Sequence, residues 1–425
     1  MKGGWRAGVL GLAAALAPLL AGCGRGGAES GTVTLRFSWW GNDKRTQVTL
    51  QAIEAFQKKN PNIRIKAENG DWGSYWDKLA TQGAGNDAPD VIQMNESYIA
   101  EYGKRGALLD LEKAGVKTDR FAPGAADAGR LKNGLFGINA GINAPAYMAN
   151  PKIFEAAGVP LPDDRTWNWD RMADTARRIA KACPKGTYGM ENPVGVEPVF
   201  KLWLRQAGKD QYGELGMAWE PADGAPFFEW AKKLASDGAT PSASEVSEET
   251  AKPIDQTLAA TGKLAMWSQW SNQASAVEKV AGTKILLLRP PSATGRCADN
   301  KTWYKASMLW SASAKTRHPK EVAAFIDFLA NSQDAGRILG TERGVPANLD
   351  VRKAVEPSMS ETDKRVAAYL DAIASDLGPV PIVTPVGGGK FESILQRHGQ
   401  DVLFGRKSPA AAAKALHEEM KGLLK

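Results

Sequence analysis

The first hundred residues alternate between strand-like and helix-like patterns. Between Thr32 and Trp40, apolar side chains occur at every second position, at Leu35, Phe37 and Trp39. This spacing predicts a strand with one buried face, and helical spacing follows from about Asp43. Further strands and helices are predicted in turn at 62–67, 73–83, 90–94 and 97–105. Such alternation is typical of a mostly parallel sheet, so this part of the chain is predicted to be α/β.

The rest of the chain continues these patterns less regularly. Helical spacing is predicted over most of 151–184 and at 198–206, 226–236, 251–260 and 319–339. Extended runs are predicted at 135–138, 263–267, 284–289 and 302–314. Beyond residue 350 the chain is chiefly helical, apart from a Pro- and Gly-rich passage at 378–389. No internal repeat is visible, so a solenoid or propeller is not predicted.

The N-terminus predicts export rather than a structural element. Lys2 and Arg6 precede 16 apolar residues, fewer than the roughly 20 that are needed to cross a bilayer. Residues 1–22 are therefore predicted to be a signal peptide. The segment ends Leu20-Ala21-Gly22-Cys23, which resembles the bacterial lipobox, in which the cysteine becomes the lipid-bearing N-terminus. A plain cleavage site with an incidental cysteine is the alternative. Residues 23–31 are glycine-rich and are expected to form a flexible tether to the outer face of the cell membrane.

Length, composition and charge narrow the class further. A chain of 425 residues exceeds one ordinary domain of about 100–200 residues, and 43% hydrophobic with 24% charged residues is typical of globular proteins. The net charge of +7 becomes smaller without the leader, and the absence of a basic cluster gives no indication of a nucleic-acid partner. The three histidines lack metal-ligand spacing, and no phosphate-binding loop or nucleophile elbow occurs. No metal or cofactor is therefore predicted.

A set of short passages, in a fixed order along the chain, carries a resemblance to a known family. The passages are Phe37-Ser38-Trp39-Trp40-Gly41, 56–63, Ala88-Pro89-Asp90-Val91-Ile92, 134–138, 150–158, Thr166-Trp167, 262–266 and Gly344-Val345-Pro346. Together they resemble the extracellular solute-binding proteins of carbohydrate ABC transporters, the family that contains maltose-binding protein.

The resemblance implies an α/β, periplasmic-binding-protein-like fold. Two α/β lobes would be joined by a hinge, with the ligand cleft between them. Residues 32–142 and 311–347 would form the N-terminal lobe, and residues 143–310 and 348–425 the C-terminal lobe. The implied function is that of a non-enzymatic, monomeric receptor. It would capture a carbohydrate by hinge closure and deliver it to the transmembrane permease subunits.

The 14 tryptophans outnumber the 12 phenylalanines and 8 tyrosines, and a sugar site explains such an excess. The C–H face of a pyranose packs on an aromatic ring, while its hydroxyls need amides, carboxylates or arginine. The number of aromatic candidates suggests several subsites and therefore an oligosaccharide. The candidate ligand contacts are Trp40, Asn42, Trp72, Tyr75, Asn95, Glu96, Asn143, Trp267, Trp270, Trp303 and Arg343. Core packing, helix capping at Asn95 and a surface position for Arg343 are the competing interpretations.

Two other classes of function stay open. An aromatic cleft with carboxylates also serves glycosidases, and Glu96 with Asp71 or Glu342 would be the acid pair. A receptor for a polyamine, a peptide or a metal complex is the third class.

Cys183 and Cys297 belong to the same implied lobe, outside the cytoplasm. A disulfide between them is therefore expected, with two separate thiols as the alternative.

Overall fold

The computed structural model describes residues 31–41, 43–214, 216–249, 252 and 256–424. The predicted signal peptide 1–22, Cys23 and Asn42 lie outside the described residues, as does nearly all of the tether 23–31. The strands are β1 (Val33–Trp40), β2 (Ile63–Gly70), β3 (Val91–Met94), β4 (Arg130–Leu131), β5 (Gly134–Leu135), β6 (Ile138–Asn143), β7 (Pro145–Ala149), β8 (Tyr212–Gly213), β9 (Gly216–Met217), β10 (Met266–Trp270), β11 (Leu286–Leu288) and β12 (Lys305–Ala312). The helices are α1 (Asp43–Lys59), α2 (Trp72–Ala84), α3 (Glu96–Lys104), α4 (Pro151–Ala157), α5 (Trp169–Ala182), α6 (Glu197–Gln206), α7 (Pro221–Ser236), α8 (Ala243–Glu249), α9 (Ala274–Ala281), α10 (Pro319–Asn331), α11 (Gln333–Leu339), α12 (Leu349–Val355), α13 (Glu361–Ala372), α14 (Phe391–Leu403) and α15 (Pro409–Leu423). None of these described helices is long and apolar enough to cross a membrane.

The first of the two main sheets contains five strands in the order β2-β1-β3-β12-β6. β1 pairs in parallel with β2 and β3, whereas β12 runs antiparallel between β3 and β6. The predicted alternation of strand and helix from β1 to α3 is confirmed. Because parallel strands end at the same edge, the residues that follow β1 and β3 meet there, where ligands of α/β sheets bind.

The second main sheet is antiparallel, with the order β10-β7-β11. Its central strand β7 has all five residues buried. β6 ends at Asn143 and β7 begins at Pro145, so Ala144 alone connects the two sheets at this point. This short connection keeps the sheets close together while the chain changes from one to the other.

Aromatic rings form the centre of the first core. The ring centroid of Phe37 lies 4.9 Å from that of Trp39, 5.7 Å from Trp310 and 5.5 Å from Phe325. None of these four side chains is more than 1% exposed. The predicted buried face of β1 is therefore confirmed.

A second core surrounds the second sheet and is also aromatic. Besides Trp219 and Tyr147, its fully buried members include Phe154, Phe200, Phe227, Phe228 and Phe391. These phenylalanines come from α4, α6, α7 and α14, so the second core holds helices from distant parts of the chain.

A continuous apolar cluster links the two sheets. It runs from the first core through Ile142 and Ala144 to Trp267 on β10 and Val277 on α9. β12 pairs with the first sheet from its first residue, Lys305, which precedes the predicted lobe boundary at 311. The division into 32–142 with 311–347 and 143–310 with 348–425 stays a prediction.

In two places the sequence predicted more helix than the structure has. Between α4 and α5 the chain is not helical, because Gly158 ends α4 with a φ of +63° and two prolines, Pro160 and Pro162, follow. Within the predicted helix 251–260, the described residues 256–260 form turns, and most of the remainder lies outside the described residues.

Cys183 and Cys297 are free thiols in the structure, which contradicts the predicted disulfide. Cys183 packs against the second core, whereas the Cys297 thiol donates to the carbonyl oxygen of Arg165 at 3.4 Å. The two side chains are therefore engaged with different surroundings.

Candidate ligand site between the two sheets

A narrow crevice separates the edge of the first sheet from the second sheet. Glu96, which follows β3, has its Oε2 4.0 Å from the Nζ of Lys305 at the start of β12. The same ammonium lies 5.0 Å from the ring centroid of Trp270 at the end of β10. Trp270 makes an edge contact with Trp303, at 6.4 Å between centroids. The structure therefore brings Glu96, Trp270 and Trp303, all selected from the sequence, to one crevice.

Helix α6 adds a row of charged side chains to this crevice. Glu197, Lys201 and Arg205 are four residues apart and therefore share one face of the helix. The Lys201 ammonium lies 4.9 Å and the Arg205 guanidinium 5.5 Å from the ring centroid of Trp303. The core side of the helix carries Val199, Phe200, Leu202 and Leu204, all fully buried. Packing of these apolar residues fixes the direction of the charged row.

Arg205 ties α6 to a segment that crosses the crevice, residues 378–383, here called the strap. Its Nη2 donates to the carbonyl oxygen of Pro379 at 2.5 Å, and its Nε donates to that of Lys301 at 2.9 Å. Its Nη1 pairs with Asp210 at 2.5 Å. Each nitrogen of the guanidinium thus has a protein acceptor, which gives Arg205 a positioning role.

Two small cavities lie beside the strap. They have about 350 and 230 Å³ of space, including their open mouths, and both are lined by Trp303, Tyr304, Val380 and Pro381. Glu96 lines the larger of the two. Trp303 is only 5% exposed, so the crevice is nearly closed and a ligand of disaccharide size requires it to open.

Burial shifts the acid–base properties of the charged row. Burial raises the pKa of Glu197 to about 7. A hydrogen bond from Gln211 Nε2, at 2.6 Å, opposes this change by stabilising the carboxylate. Burial also lowers the pKa of Lys201, although Glu96 and Asp210 oppose that change. Among the described residues, the Lys201 ammonium has no hydrogen bond and no carboxylate within 4 Å. Both groups therefore sit where their charged forms are poorly compensated.

An aromatic group lies at the end of β1, next to α2. The Trp40 ring is 5.0 Å from Trp72, 5.2 Å from Tyr75 and 5.4 Å from Trp76, and Trp76 stacks on Tyr98 at 3.9 Å. Trp40 is 7% exposed and Trp72 is 47% exposed. Of the two predicted tryptophans in this group, Trp72 is therefore the one that presents a ring to solvent.

Tyr75 is buried inside the first sheet, although it was predicted to contact the ligand. It is 3% exposed, and its hydroxyl donates to the carbonyl oxygen of Gln93 at 2.7 Å, with that of Ser38 at 3.2 Å. The hydroxyl links β1 and β3 inside the sheet, so its role is structural.

Arg343 is also a structural residue rather than a ligand contact. It is 3% exposed, and its guanidinium stacks 4.8 Å from the ring centroid of Trp310. Its Nε donates to Gln93 Oε1 at 2.9 Å and its Nη2 to Thr49 Oγ1 at 2.8 Å. Burial lowers the pKa of this side chain well below its usual range.

Three further predicted residues differ in what they offer a ligand. Asn95 caps α3 by accepting from Ser97 N at 2.9 Å, as the capping interpretation predicted. Asn143 donates to Asn272 Oδ1 at 3.2 Å, and its own Oδ1 is buried without a partner in the described part of the chain. Trp267 is 3% exposed and belongs to the shared core, so Trp270 and not Trp267 reaches the crevice.

A larger cavity lies elsewhere, beside β10 on the second sheet. It has about 900 Å³ of space, including its open mouth, and is lined among others by Glu191, Trp267 and Ser268. Burial raises the pKa of Glu191 to about 8, and its carboxylate accepts from the Ser268 amide. All described lining residues surround the second sheet, so this cavity is not shared between the sheets.

Sequence reasoning missed the charged row on α6. The available signal was three charges at four-residue intervals in an otherwise apolar helix, Glu197-Pro198-Val199-Phe200-Lys201-Leu202-Trp203-Leu204-Arg205. Such a row usually faces water, which is why the pattern alone did not indicate a site.

Comparisons with known proteins agree with this architecture. A family model for bacterial extracellular solute-binding proteins matches residues 51–367. An uncharacterized lipoprotein of Streptomyces antibioticus is 25% identical over 382 residues, which cover 87% of this chain and 82% of the relative. A family 1 extracellular solute-binding protein from Alicyclobacillus acidocaldarius has a TM-score of 0.75 at 27% identity, covering 92% of this chain and 98% of the other. An oligogalacturonide-binding protein from Yersinia enterocolitica has a TM-score of 0.77 at 24% identity, covering 92% and 100%.

The predicted periplasmic-binding-protein-like fold and solute-binding function are confirmed by these matches. The family is extracellular, which agrees with the predicted export. The chain belongs to the bacterial extracellular solute-binding protein family.

Proposed function

We propose that the mature chain is the receptor of an ABC importer, captures an oligosaccharide and is anchored by lipidated Cys23 to the outer face of the cell membrane. The observation that carries the saccharide assignment is the meeting of Trp270 with Glu96, Lys305 and Trp303 between the sheets. The Trp270 ring would pack on a pyranose face, and the charged groups would bind its hydroxyls. The oligogalacturonide-binding relative from Yersinia supports a saccharide as the solute.

Capture would use hinge closure. The crevice has residues of the first sheet on one side and Trp270 and α6 on the other, so a ligand contacts both sides only when they approach each other. Such a ligand favours the closed form because its affinity for that form is higher. The one-residue connection at Ala144 is a natural place for the change in angle. The permease subunits would then receive the closed form of a monomeric receptor.

Binding of a saccharide panel to the purified mature chain tests the proposal. Titration calorimetry should find at least one oligosaccharide at about micromolar Kd, and closure over Trp270 should shift tryptophan emission in the same samples. Failure of every saccharide, together with binding of a polyamine or a peptide, would refute the saccharide assignment.

The glycosidase alternative is tested in the same samples by measuring released reducing ends. Its acid pair has little support, because Glu342 pairs with Arg45 at 3.4 Å and Glu96 lies 4.0 Å from Lys305. Hydrolysis by the pure protein would nevertheless overturn the receptor assignment.

The anchor is tested by cell fractionation of Cys23→Ala. The variant should move from the membrane fraction to the soluble exported fraction, while binding by the purified protein stays unchanged. Membrane retention of the variant would refute anchoring through Cys23.

A further inference from the structure

Lys201 is a largely buried cation whose ammonium has no hydrogen-bond acceptor in the described part of the chain. Its residue is 8% exposed, and its ammonium touches the face of Trp303 at 4.9 Å. Within the described residues, no carboxylate lies within 4 Å of it and no acceptor within hydrogen-bonding distance. Its nitrogen is not among the polar atoms that are sealed from solvent, so it stays open to the crevice and is available to an acceptor from outside the chain.

The neighbouring charges are engaged with other groups. Arg205 pairs with Asp210 at 2.5 Å, and Lys305 lies 4.0 Å from Glu96. Glu197 accepts a hydrogen bond from Gln211, and its raised pKa of about 7 leaves it partly protonated near neutral pH. These pairings leave Lys201 with the more distant charges of Glu96, Asp210 and Glu197 but with no direct ion pair among the described residues.

Glu392, at the start of α14, is the other acid that faces this group. Its charge adds to the burial that raises the pKa of Glu197, and burial raises the pKa of Glu392 itself while Lys305 lowers it. No described cation lies within 4 Å of its carboxylate, and the residue is exposed at the surface although neighbouring atoms enclose its carboxyl. Glu392 therefore stands at the mouth of the crevice and does not neutralise Lys201.

Trp303 has its own task in this arrangement. It is 5% exposed and contacts both the Lys201 ammonium and the Arg205 guanidinium, so it holds cations rather than offering a free face to a sugar. Trp270 is partly buried and contacts a single cation of the described residues, Lys305, so more of its ring remains to pack on a pyranose. The distances from Trp270 to Trp303 and from Trp303 to Lys201 are 6.4 and 4.9 Å, a span within reach of one disaccharide.

We infer that the saccharide is acidic, and that its carboxylate binds the ammonium of Lys201 while a pyranose ring packs on Trp270. The inference rests on the proposed saccharide function of the crevice. A carboxylate supplies the acceptor that Lys201 lacks, and a charge-assisted hydrogen bond of this kind is stronger than one to a neutral hydroxyl. A neutral sugar would supply no charge-assisted hydrogen bond to this ammonium.

Matched sugars test the inference directly. Digalacturonate and α-1,4-galactobiose differ only in the carboxylates, and cellobiouronate and cellobiose form a second pair with a different linkage. Titration calorimetry on the wild-type chain should show at least tenfold tighter binding of the acidic member of a pair. Lys201→Met should remove this preference, and Lys201→Arg should retain a large part of it. Lys315→Met, an exposed lysine on the loop before α10, is the matched control and should change nothing.

Proton uptake provides a second measurement that does not depend on comparing sugars. Because burial lowers the pKa of Lys201, an arriving carboxylate should raise it, and binding above neutral pH should take up protons. The binding enthalpy would then depend on the ionisation enthalpy of the buffer in the wild type but not in Lys201→Met. A structural role for Lys201 alone would not produce this difference.

The outcomes separate the two proposals. Equal or tighter binding of the neutral members would overturn the acidic-saccharide inference and leave the receptor function standing. Competition by sulfate or inorganic phosphate at equal strength would indicate an inorganic-anion site and also overturn it. Absence of binding by every saccharide would overturn the proposed function itself.

Discussion

Two tryptophans on one strand allow the proposed ligand contact to be tested separately from core packing. Trp267 and Trp270 lie three residues apart on β10, but Trp267 is 3% exposed within the shared core and Trp270 borders the crevice beside Lys305. We expect Trp270→Ala to weaken saccharide binding and Trp267→Ala to weaken the fold.

The magnitudes follow from the two environments. Removing a fully buried tryptophan side chain costs about 3–5 kcal/mol of unfolding free energy, which is the expectation for Trp267→Ala. Loss of ring packing against a pyranose costs about 1–2 kcal/mol, so Trp270→Ala should raise the Kd about 5- to 30-fold. Its own stability loss should be smaller, because part of the ring is already in contact with solvent.

The assay is titration calorimetry with the tightest saccharide of the panel, combined with urea unfolding of the same samples. Trp270→Phe serves as the control, since it keeps an aromatic face and should recover part of the affinity. Unchanged affinity in Trp270→Ala, or a larger loss of affinity in a folded Trp267→Ala, would refute the assignment of Trp270 to the ligand.

Three further predictions test properties of other residues in the structure. Tyr75→Phe should lower the unfolding free energy by about 1 kcal/mol, because the buried hydrogen bond to Gln93 is lost. Its saccharide affinity should stay unchanged. A loss of affinity would support the prediction that Tyr75 contacts the ligand. The pKa of Glu197 is about 7 in the folded chain, above its unfolded value of about 4.5. Between these two pH values the folded chain binds a proton that the unfolded chain has released, so the contribution of Glu197 to stability falls as the pH rises from about 4.5 to 7. Glu197→Gln should therefore gain stability relative to wild type at pH 8 compared with pH 5 in urea unfolding, whereas the exposed control Glu229→Gln should show no such difference. Thiol titration of unfolded mature protein lacking Cys23 should give two free thiols per chain, because Cys183 and Cys297 are unbonded, and a value near zero would restore the disulfide.

The parts of the fold that could be predicted from sequence are those in which local periodicity and burial agree. β1 buries Leu35, Phe37 and Trp39, and a helix follows each of the first three strands, so both patterns were visible along the chain. Glu96 and Trp270, which the structure brings to the crevice, were selected because residues at strand ends face ligands in sheets of this kind. On β10 the same reasoning could not separate Trp267 from Trp270, because a strand with both faces covered loses its alternation.

The roles of the buried charged residues could not be predicted from the sequence and required the structure. Arg205 and Arg343 each make at least two hydrogen bonds to protein acceptors, and both therefore position the chain. Lys201 is equally buried but has no such acceptor among the described residues. In the sequence all three are single basic residues, and Arg343 was the one selected because it lies beside a family motif. What separates the proposed binding role of Lys201 from the positioning roles of the two arginines is the set of acceptors around each cation, and those acceptors come from parts of the chain up to 294 residues away.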